Sequence, residues 1–268
     1  MVSKQGIEAF LKRRDIEVTM FDEVASTNTV AAGMALEIQG IAAIVARGQT
    51  AGRGTRGRAF FCRPDQGLYL SLILRPKWNA SEAGLITPAA GVAVTRAIKS
   101  AAGVDAKIKW VNDIVINDQK LCGILAESRL APDARRLEYA VIGIGINLFV
   151  EDFPSGIAGQ ATSLHRHSAN FDVNLLAAQI IDNLCGLIDD SEPGAWMDEY
   201  RRLSSVLGRR VIFDCAGSRN TGLAVEINHQ GNLVVETEEN RRYIITAGDV
   251  SIHLEDACTL FTKGRASH

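Results

Sequence analysis

Four strand-like runs follow one another in the middle of the chain: Ala106 to Trp110, Asp113 to Ile116, Leu121 to Glu127 and Glu138 to Ile146. Strands clustered this closely, with helical segments before and after, predict a mixed β-sheet covered by helices on one side, an α+β domain. Three earlier runs add to it: Val18 to Phe21, Ile41 to Ala46 and Leu68 to Leu74. Short helices are predicted over Ile7 to Arg14 and Thr27 to Ile38, the latter with Ser26 as N-cap. Glu82 to Ala102 reads as a long helix, with Leu85, Ala89, Ala93 and Ala97 along one face. Val173 to Ile188 is amphipathic through Leu176, Ile180, Leu184 and Leu187, and a last helix runs from Gly194 to Leu203.

The pattern changes near Gly208. Short β-rich runs follow (Val211 to Asp214, Gly222 to Ile227, Leu233 to Glu236, Tyr243 to Ile245, Val250 to Leu254), parted by Gly217, Asn228 to Gly231, Glu239-Asn240 and Gly248. This spacing predicts a small barrel or sandwich and places a domain boundary near residue 206. The tail after Lys263 is expected to fray.

Composition excludes several classes. With 268 residues, 47% of them hydrophobic and 22% charged, the chain can bury a sizeable core. A formal net charge of -2 is wrong for a general nucleic-acid binder. No apolar run approaches the roughly 20 residues that span a bilayer, and the N-terminus lacks signal-peptide features. Cys62, Cys122, Cys185, Cys215 and Cys258 are scattered without a Cys-x-x-Cys pair and read as reduced thiols, which predicts a cytoplasmic protein.

Chemistry concentrates first in Gly52-Arg53-Gly54-Thr55-Arg56-Gly57-Arg58. Its glycines let backbone N–H groups turn toward an anion, and its arginines offer forks of donors that match carboxylate and phosphate. Alone, such a stretch is expected to be disordered and to order around a negative ligand. A dinucleotide fingerprint fails, because Phe60-Phe61-Cys62-Arg63-Pro64 opens no helix and no acidic residue stands about twenty positions on. A P-loop fails as well, since Arg58 and Ala59 occupy the Lys and Ser/Thr positions. A solvated basic turn, touching RNA, stays open.

Lys109-Trp110-Val111-Asn112-Asp113 groups a cation, an aromatic ring, an amide and a carboxylate at a strand end. That mixture suits phosphate with magnesium, although for this segment read alone an Asn-Asp turn beside a core Trp explains it better. Lys120-Leu121-Cys122-Gly123-Ile124 places a lysine at the start of a strand, with a glycine that suggests close approach of a ligand; a lone lysine there is otherwise simply exposed. Gly143-Ile144-Gly145-Ile146-Asn147 ends another strand with two glycines and an amide, and Ser26-Thr27-Asn28 alone reads as a helix cap.

Taken in order, these five segments, with Gln49-Thr50-Ala51, Ala161-Thr162-Ser163-Leu164 and Ala247-Gly248-Asp249-Val250, closely resemble the biotin–protein ligase family. The resemblance implies a catalytic domain over residues 1–206, built on a mixed sheet with packed helices. It also implies a small SH3-like β-barrel over 207–263 and a tail over 264–268. The implied activity has two steps: ATP converts biotin to biotinyl-AMP, and a lysine of a biotin carboxyl carrier domain of acetyl-CoA carboxylase then takes the biotinyl group. By the same resemblance Ser26, Thr27, Asn28 and Gln49 bind biotin, and Arg53, Gly54 and Thr55 close over the intermediate. Lys120 reaches both the biotin carboxylate and the α-phosphate. Arg56, Arg58, Lys109, Asn112 and Asp113 hold ATP phosphates, Asn112 and Asp113 also bind Mg2+, and Phe60 and Asn147 line the adenine pocket. Lys120, Arg53 and Asp113 are the implied catalytic residues, with Asp113 as a base.

Repressor members carry a DNA-binding module ahead of this domain, and only 25 residues precede Ser26, so DNA is not an expected partner. No membrane partner is expected either, and a homodimer is allowed. Three positions depart from the family pattern. Val111 stands where proline is usual, His253 near an arginine that often reaches the nucleotide, and Thr55 where a further arginine is common. A lipoate/octanoate–protein ligase and a non-catalytic biotin- or RNA-binding module remain the alternative readings.

Overall fold

The strand β3 (Gly67–Leu74) is buried at all of its positions, because it lies near the centre of a seven-stranded sheet. The strand order is β1 (Ile16–Val24), β2 (Ile41–Gln49), β3, β7 (Leu137–Asn147), β6 (Gln119–Leu130), β5 (Asp113–Ile116) and β4 (Lys107–Lys109). The first pair is parallel and the others are antiparallel, so the sheet is mixed, as the sequence predicts. This computed structural model describes residues 1–189, 191–215, 218–246 and 253–254. The chain separates into two compact units, Met1–Ser205 and Val206–His268.

Helices form where an apolar face meets the sheet or a neighbouring helix. In α2 (Thr27–Met34), Ala31 packs with Ala35 against Ala42, Ile44, Ile73 and Val141 of the sheet. The β3 positions of opposite parity, Leu68, Leu70, Leu72 and Leu74, are equally buried. The sheet centre is therefore covered on both faces, not one. The sequence signals this through an unbroken apolar run where a half-exposed strand would alternate. Leu85, Ala89, Ala93 and Ala97 are buried as predicted, along α3 (Ile86–Ala102) and the turn before it. So are Leu176, Ile180, Leu184 and Leu187 of α4 (Val173–Asp189). Asn183 of α4 donates to the Ala93 carbonyl of α3 at 3.3 Å.

Helix ends differ from the sequence reading for local reasons. The first helix, α1 (Lys4–Phe10), starts earlier because the Ser3 hydroxyl accepts from Gly6 N, and it stops where Leu11 turns extended. The segment before α3 is a separate 3-10 turn, Ala80–Leu85, closed by an Asn79–Glu82 capping box. Ser26 sits at the N-cap of α2, yet its side chain makes no cap bond. That helix ends at Met34, before the predicted Ile38, and α5 (Met197–Leu203) begins three residues after the predicted start at Gly194.

The second unit holds β8 (Arg210–Cys215), β9 (Ser218–Ile227), β10 (Leu233–Glu236), β11 (Arg242–Ile245) and β12 (His253–Leu254). They form an antiparallel sheet in the order β11-β10-β9-β8-β12, with Val211, Phe213, Ala224, Leu233 and Val235 buried. The expected barrel is not closed: among the described residues β11 and β12 are outer strands without a bond between them, and closure needs that pairing. Gly217, the Ala247-Gly248-Asp249-Val250 stretch, the His253 side chain and the tail after Lys263 lie outside the described residues. Among those described, no helix is long and apolar enough to cross a membrane.

The α3–α4 packing carries a direct expectation. Leu184→Ala, at a fully buried position, should lower unfolding free energy in urea by about 2–5 kcal/mol. Leu36→Ala, at a position 52% exposed, should change it by less than about 0.5 kcal/mol.

Candidate active site

The glycine–arginine segment leaves β2 and folds back as a small hairpin. Gly54 N donates to Arg58 O at 2.7 Å, Phe60 N donates to Gly52 O at 2.9 Å, and Arg53 bridges to Ala59. Its tip turns through left-handed residues, Arg56 at φ 58° and Gly57 at φ 72°, where glycine meets no steric penalty. At its base a Cβ on Gly52 would stand 2.6 Å from Cys62 Sγ. These backbone bonds and one ion pair give the loop its shape. Arg53 forks onto Glu127 of β6, at 2.7 Å to Oε1 and 3.2 Å to Oε2. Arg58 turns back toward Thr55, 3.5 Å from both its carbonyl and its hydroxyl.

Beneath the loop lies a chain of polar side chains in an otherwise apolar interior. Gln49 Oε1 accepts from Thr27 N at 2.8 Å and from Thr27 Oγ1 at 3.1 Å, and Gln49 Nε2 donates to Cys62 Sγ at 3.1 Å. Ser71 Oγ lies 2.8 Å from Thr27 Oγ1 and 2.7 Å from Asn28 Oδ1. Asn28 Nδ2 donates to Leu125 O at 3.2 Å and to Glu127 Oε2 at 3.0 Å. Buried polar groups persist only when partnered, and these partner one another. Burial raises the Cys62 thiol above its ordinary value, opposed by hydrogen bonds with Gln49 and Tyr69. The sequence reading missed Ser71, Glu127 and Cys62. Ser71 carried a signal, as the one small polar residue in the run Leu68 to Leu74.

A second cluster sits on the adjoining strands. Lys120 Nζ lies 2.7 Å from Asp113 Oδ1, close enough for an ion pair though not aligned as a hydrogen bond. Asn112 Nδ2 donates to Ile124 O at 3.0 Å, and Lys109 faces Asp113 across the β4–β5 ladder. The Lys120 ammonium is 5.9 Å from the Phe60 ring centroid. Residue 120 is also held from its other side: its N–H donates to Gln160 O at 2.7 Å, and its carbonyl accepts from Thr162 N at 2.9 Å. Asn147 Nδ2 fastens the same segment through Thr162 O at 3.2 Å, so this amide is at least partly structural.

Three glycines make room for these groups. A Cβ on Gly145 would stand 2.6 Å from the Phe60 ring, one on Gly123 3.1 Å from it, and one on Gly143 2.0 Å from Asn28 Oδ1. What approaches these strands closely is therefore the protein's own Phe60 and Asn28. Gly123 and Gly145 are direct partners across β6 and β7, so Phe60 lies over a bare patch of sheet.

The structure thus joins Thr27, Asn28, Gln49, Arg53 and Glu127 in one network, and pairs Lys120 with Asp113 on strands that also carry Lys109 and Asn112, with Phe60 beside Lys120. Ser26 is buried next to them. Among the described residues no group of three His, Cys, Asp or Glu side chains could hold a metal. One carboxylate and one amide suit magnesium only when phosphate oxygens and water complete its octahedron. A cleft of about 760 Å³ lies elsewhere, walled by Arg47, Asp65, Phe149, Phe171 and Asn174 among others. Its arginine is already neutralised by Asp65 at 2.7 Å, and the conjunction of lysine, carboxylate and loop arginines is a better guide to chemistry.

Residues 21–147 match the biotin/lipoate A/B protein ligase family. The chain is 31% identical over 244 residues to the biotin–[acetyl-CoA-carboxylase] ligase of Mycobacterium tuberculosis, covering 87% of each chain. It is 42% identical over 125 residues to the bifunctional ligase/repressor BirA of Bacillus spizizenii, spanning 47% of this chain but only 38% of that relative's length. In structure it is similar to the biotin protein ligase from Aquifex aeolicus in complex with biotin and ATP. That likeness has a TM-score of 0.72 and 25% identity, covering 89% of this chain and 99% of the other. The chain belongs to the biotin–protein ligase family.

The glycine positions give a paired expectation. Gly143→Ala forces Asn28 out of place and should cost about 1–3 kcal/mol of stability. Gly33→Ala, in α2 with nothing within 4 Å of its Cβ, should instead stabilise by about 0.5–1 kcal/mol. Urea midpoints of the two variants test the contrast.

Proposed function

We propose that this protein activates biotin with ATP to biotinyl-AMP and transfers the biotinyl group to a lysine of a biotin carboxyl carrier domain of acetyl-CoA carboxylase. The observation that carries this reading is the convergence of Lys120, Asp113 and the Arg53 loop on adjoining strands of one sheet. In the first step a biotin carboxylate oxygen bonds to the α-phosphorus and pyrophosphate leaves. Two anions must meet, so cationic groups held in place lower the barrier. Lys120 is assigned to the carboxylate and α-phosphate, and Arg53 to the intermediate. Arg56, Arg58 and Lys109 are assigned to the nucleotide's phosphates, and Phe60 and Asn147 to its base. Asn112 and Asp113 would hold magnesium together with those phosphates, and the metal would offset charge there.

Ser26, Thr27, Asn28 and Gln49 suit the polar ureido end of biotin. They carry donors and acceptors within an apolar interior, where a ligand that matches them is selected strongly. Gly54 and Thr55 close over the adenylate. In the second step the carrier amine, neutral, attacks the acyl carbon and AMP leaves with its phosphate oxygens. The sequence reading makes Asp113 a base; with Lys120 Nζ 2.7 Å from its Oδ1, it is placed to orient that ammonium as well. A cytoplasmic location fits reduced thiols and this substrate.

Incubation with magnesium-ATP and biotin, lipoate or octanoate, followed by mass spectrometry, should give an acyl-AMP with biotin alone. Adenylate from lipoate or octanoate but not from biotin would move the chain to the neighbouring ligase class. Lys120→Ala should abolish adenylate formation while circular dichroism stays native, and unchanged turnover would remove Lys120 from its role. Thr55 leaves the loop one guanidinium short of the common pattern, so Thr55→Arg should slow release of biotinyl-AMP relative to wild type. Equal release rates would show that this position does not set retention.

A further inference from the structure

We propose that Glu127 is a positioning residue that aligns both Asn28 and Arg53, and so couples the ureido-binding groups to the loop that covers the adenylate. The inference rests on the proposed biotin reading and deepens it. Glu127 lies on β6 opposite Val141 of β7, and its carboxylate receives three donors: Arg53 Nη2 at 2.7 Å on Oε1, with Arg53 Nη1 at 3.2 Å and Asn28 Nδ2 at 3.0 Å on Oε2. Its carboxylate thereby bonds to both the loop and α2.

Proton direction along the chain follows from these contacts. Leu125 O and Glu127 Oε2 both require a donor, so they fix which end of the Asn28 amide is nitrogen. Asn28 Oδ1 then faces Ser71 and accepts its only proton. Ser71 Oγ is left as an acceptor for Thr27 Oγ1, which can instead give its one proton to Gln49 Oε1, 3.1 Å from Oγ1. Thr27 is thus the one member with a choice of acceptor: the orientations of Asn28 and Ser71 follow from the Leu125 and Glu127 end, while Gln49 Oε1 is fixed by the Thr27 N–H.

At the other end the geometry leaves capacity. Guanidinium carries five N–H donors, and the Glu127 fork uses two of them. Three remain to meet an anionic ligand while the ion pair holds the side chain in one place. The pair itself is half exposed, 47% at Arg53 and 38% at Glu127, and such pairs add little to stability. Its consequence is orientation, which lowers the ordering cost of closing the loop on a ligand.

Glu127→Gln tests this, because it keeps the side-chain shape but replaces one acceptor oxygen with a donor, so the three incoming donors can no longer all be satisfied. With native folding verified by thermal melting, KM for biotin and the release rate of biotinyl-AMP should each rise about tenfold. KM for ATP should stay within about twofold. In an Arg53→Ala background the same change should no longer alter adenylate release, and in an Asn28→Ala background it should no longer alter biotin KM. Glu127→Asp keeps the charge but withdraws the carboxylate by one methylene, and should show the same pattern at smaller size. In the ligand-free protein trypsin should cut after Arg53, Arg56 or Arg58 faster in Glu127→Gln than in wild type, a readout that needs no catalysis. Wild-type kinetics and cleavage in the variant, equal multiplicative losses in all backgrounds, or failure of both variants to fold would each overturn the positioning role. Absence of biotinyl-AMP from the wild type would count against the biotin reading, and the trypsin comparison would still judge Glu127.

Discussion

A polar chain inside a sheet buried on both faces is the constraint on which the site depends. Ser71 is fully buried in the central strand, where an unpartnered hydroxyl would cost about 1–3 kcal/mol. It is tolerated because Thr27 and Asn28 project from the start of α2 onto it. That requirement fixes where α2 begins, and α2 in turn seals its end of the sheet with Ala31 and Ala35. Gln49 at the end of β2 and Glu127 on β6 complete the chain from opposite sides. Local helix geometry, sheet register and ligand chemistry are therefore one problem with one solution.

Much of this was legible before any coordinates. All seven strands of the mixed sheet follow from apolar β-branched runs, and the buried faces of α3 and α4 follow from their helical spacing. The loop with Arg53 showed its taste for anions by residue type, whereas the segments with Thr27, Gln49, Lys109, Asp113 and Lys120 took their roles only from the ordered resemblance. What stayed hidden were partnerships across the sheet. Glu127 looks like any acid at the fraying end of a strand, and only the β6–β7 register with α2 above it brings Arg53 within 2.7 Å. Gly123 showed that something comes close to the backbone, but sequence could not say that the visitor is Phe60. Coverage of both sheet faces is written in the unbroken apolar run Leu68 to Leu74, against the single covered face that the order of helices and strands suggests.

Charge repulsion among Arg53, Arg56 and Arg58 is offset from outside the loop: Glu127 faces one of those charges, and bonds such as Gly54 N to Arg58 O close the turn. A composition argument weighs a segment against water, whereas this segment is balanced against the carboxylate of a strand.

Gly123 and Gly145 face each other across two strands, and Gly143 stands two residues before Gly145. The floor under Phe60 and Asn28 is made of missing side chains, so it is shaped by subtraction. Backbone in a paired ladder cannot retreat, so a side chain added at Gly143 or Gly145 would displace Asn28 or Phe60 instead. The shape of ligand the site accepts is therefore tuned from its roof, by the loop and by α2, over a sheet that acts as a fixed template.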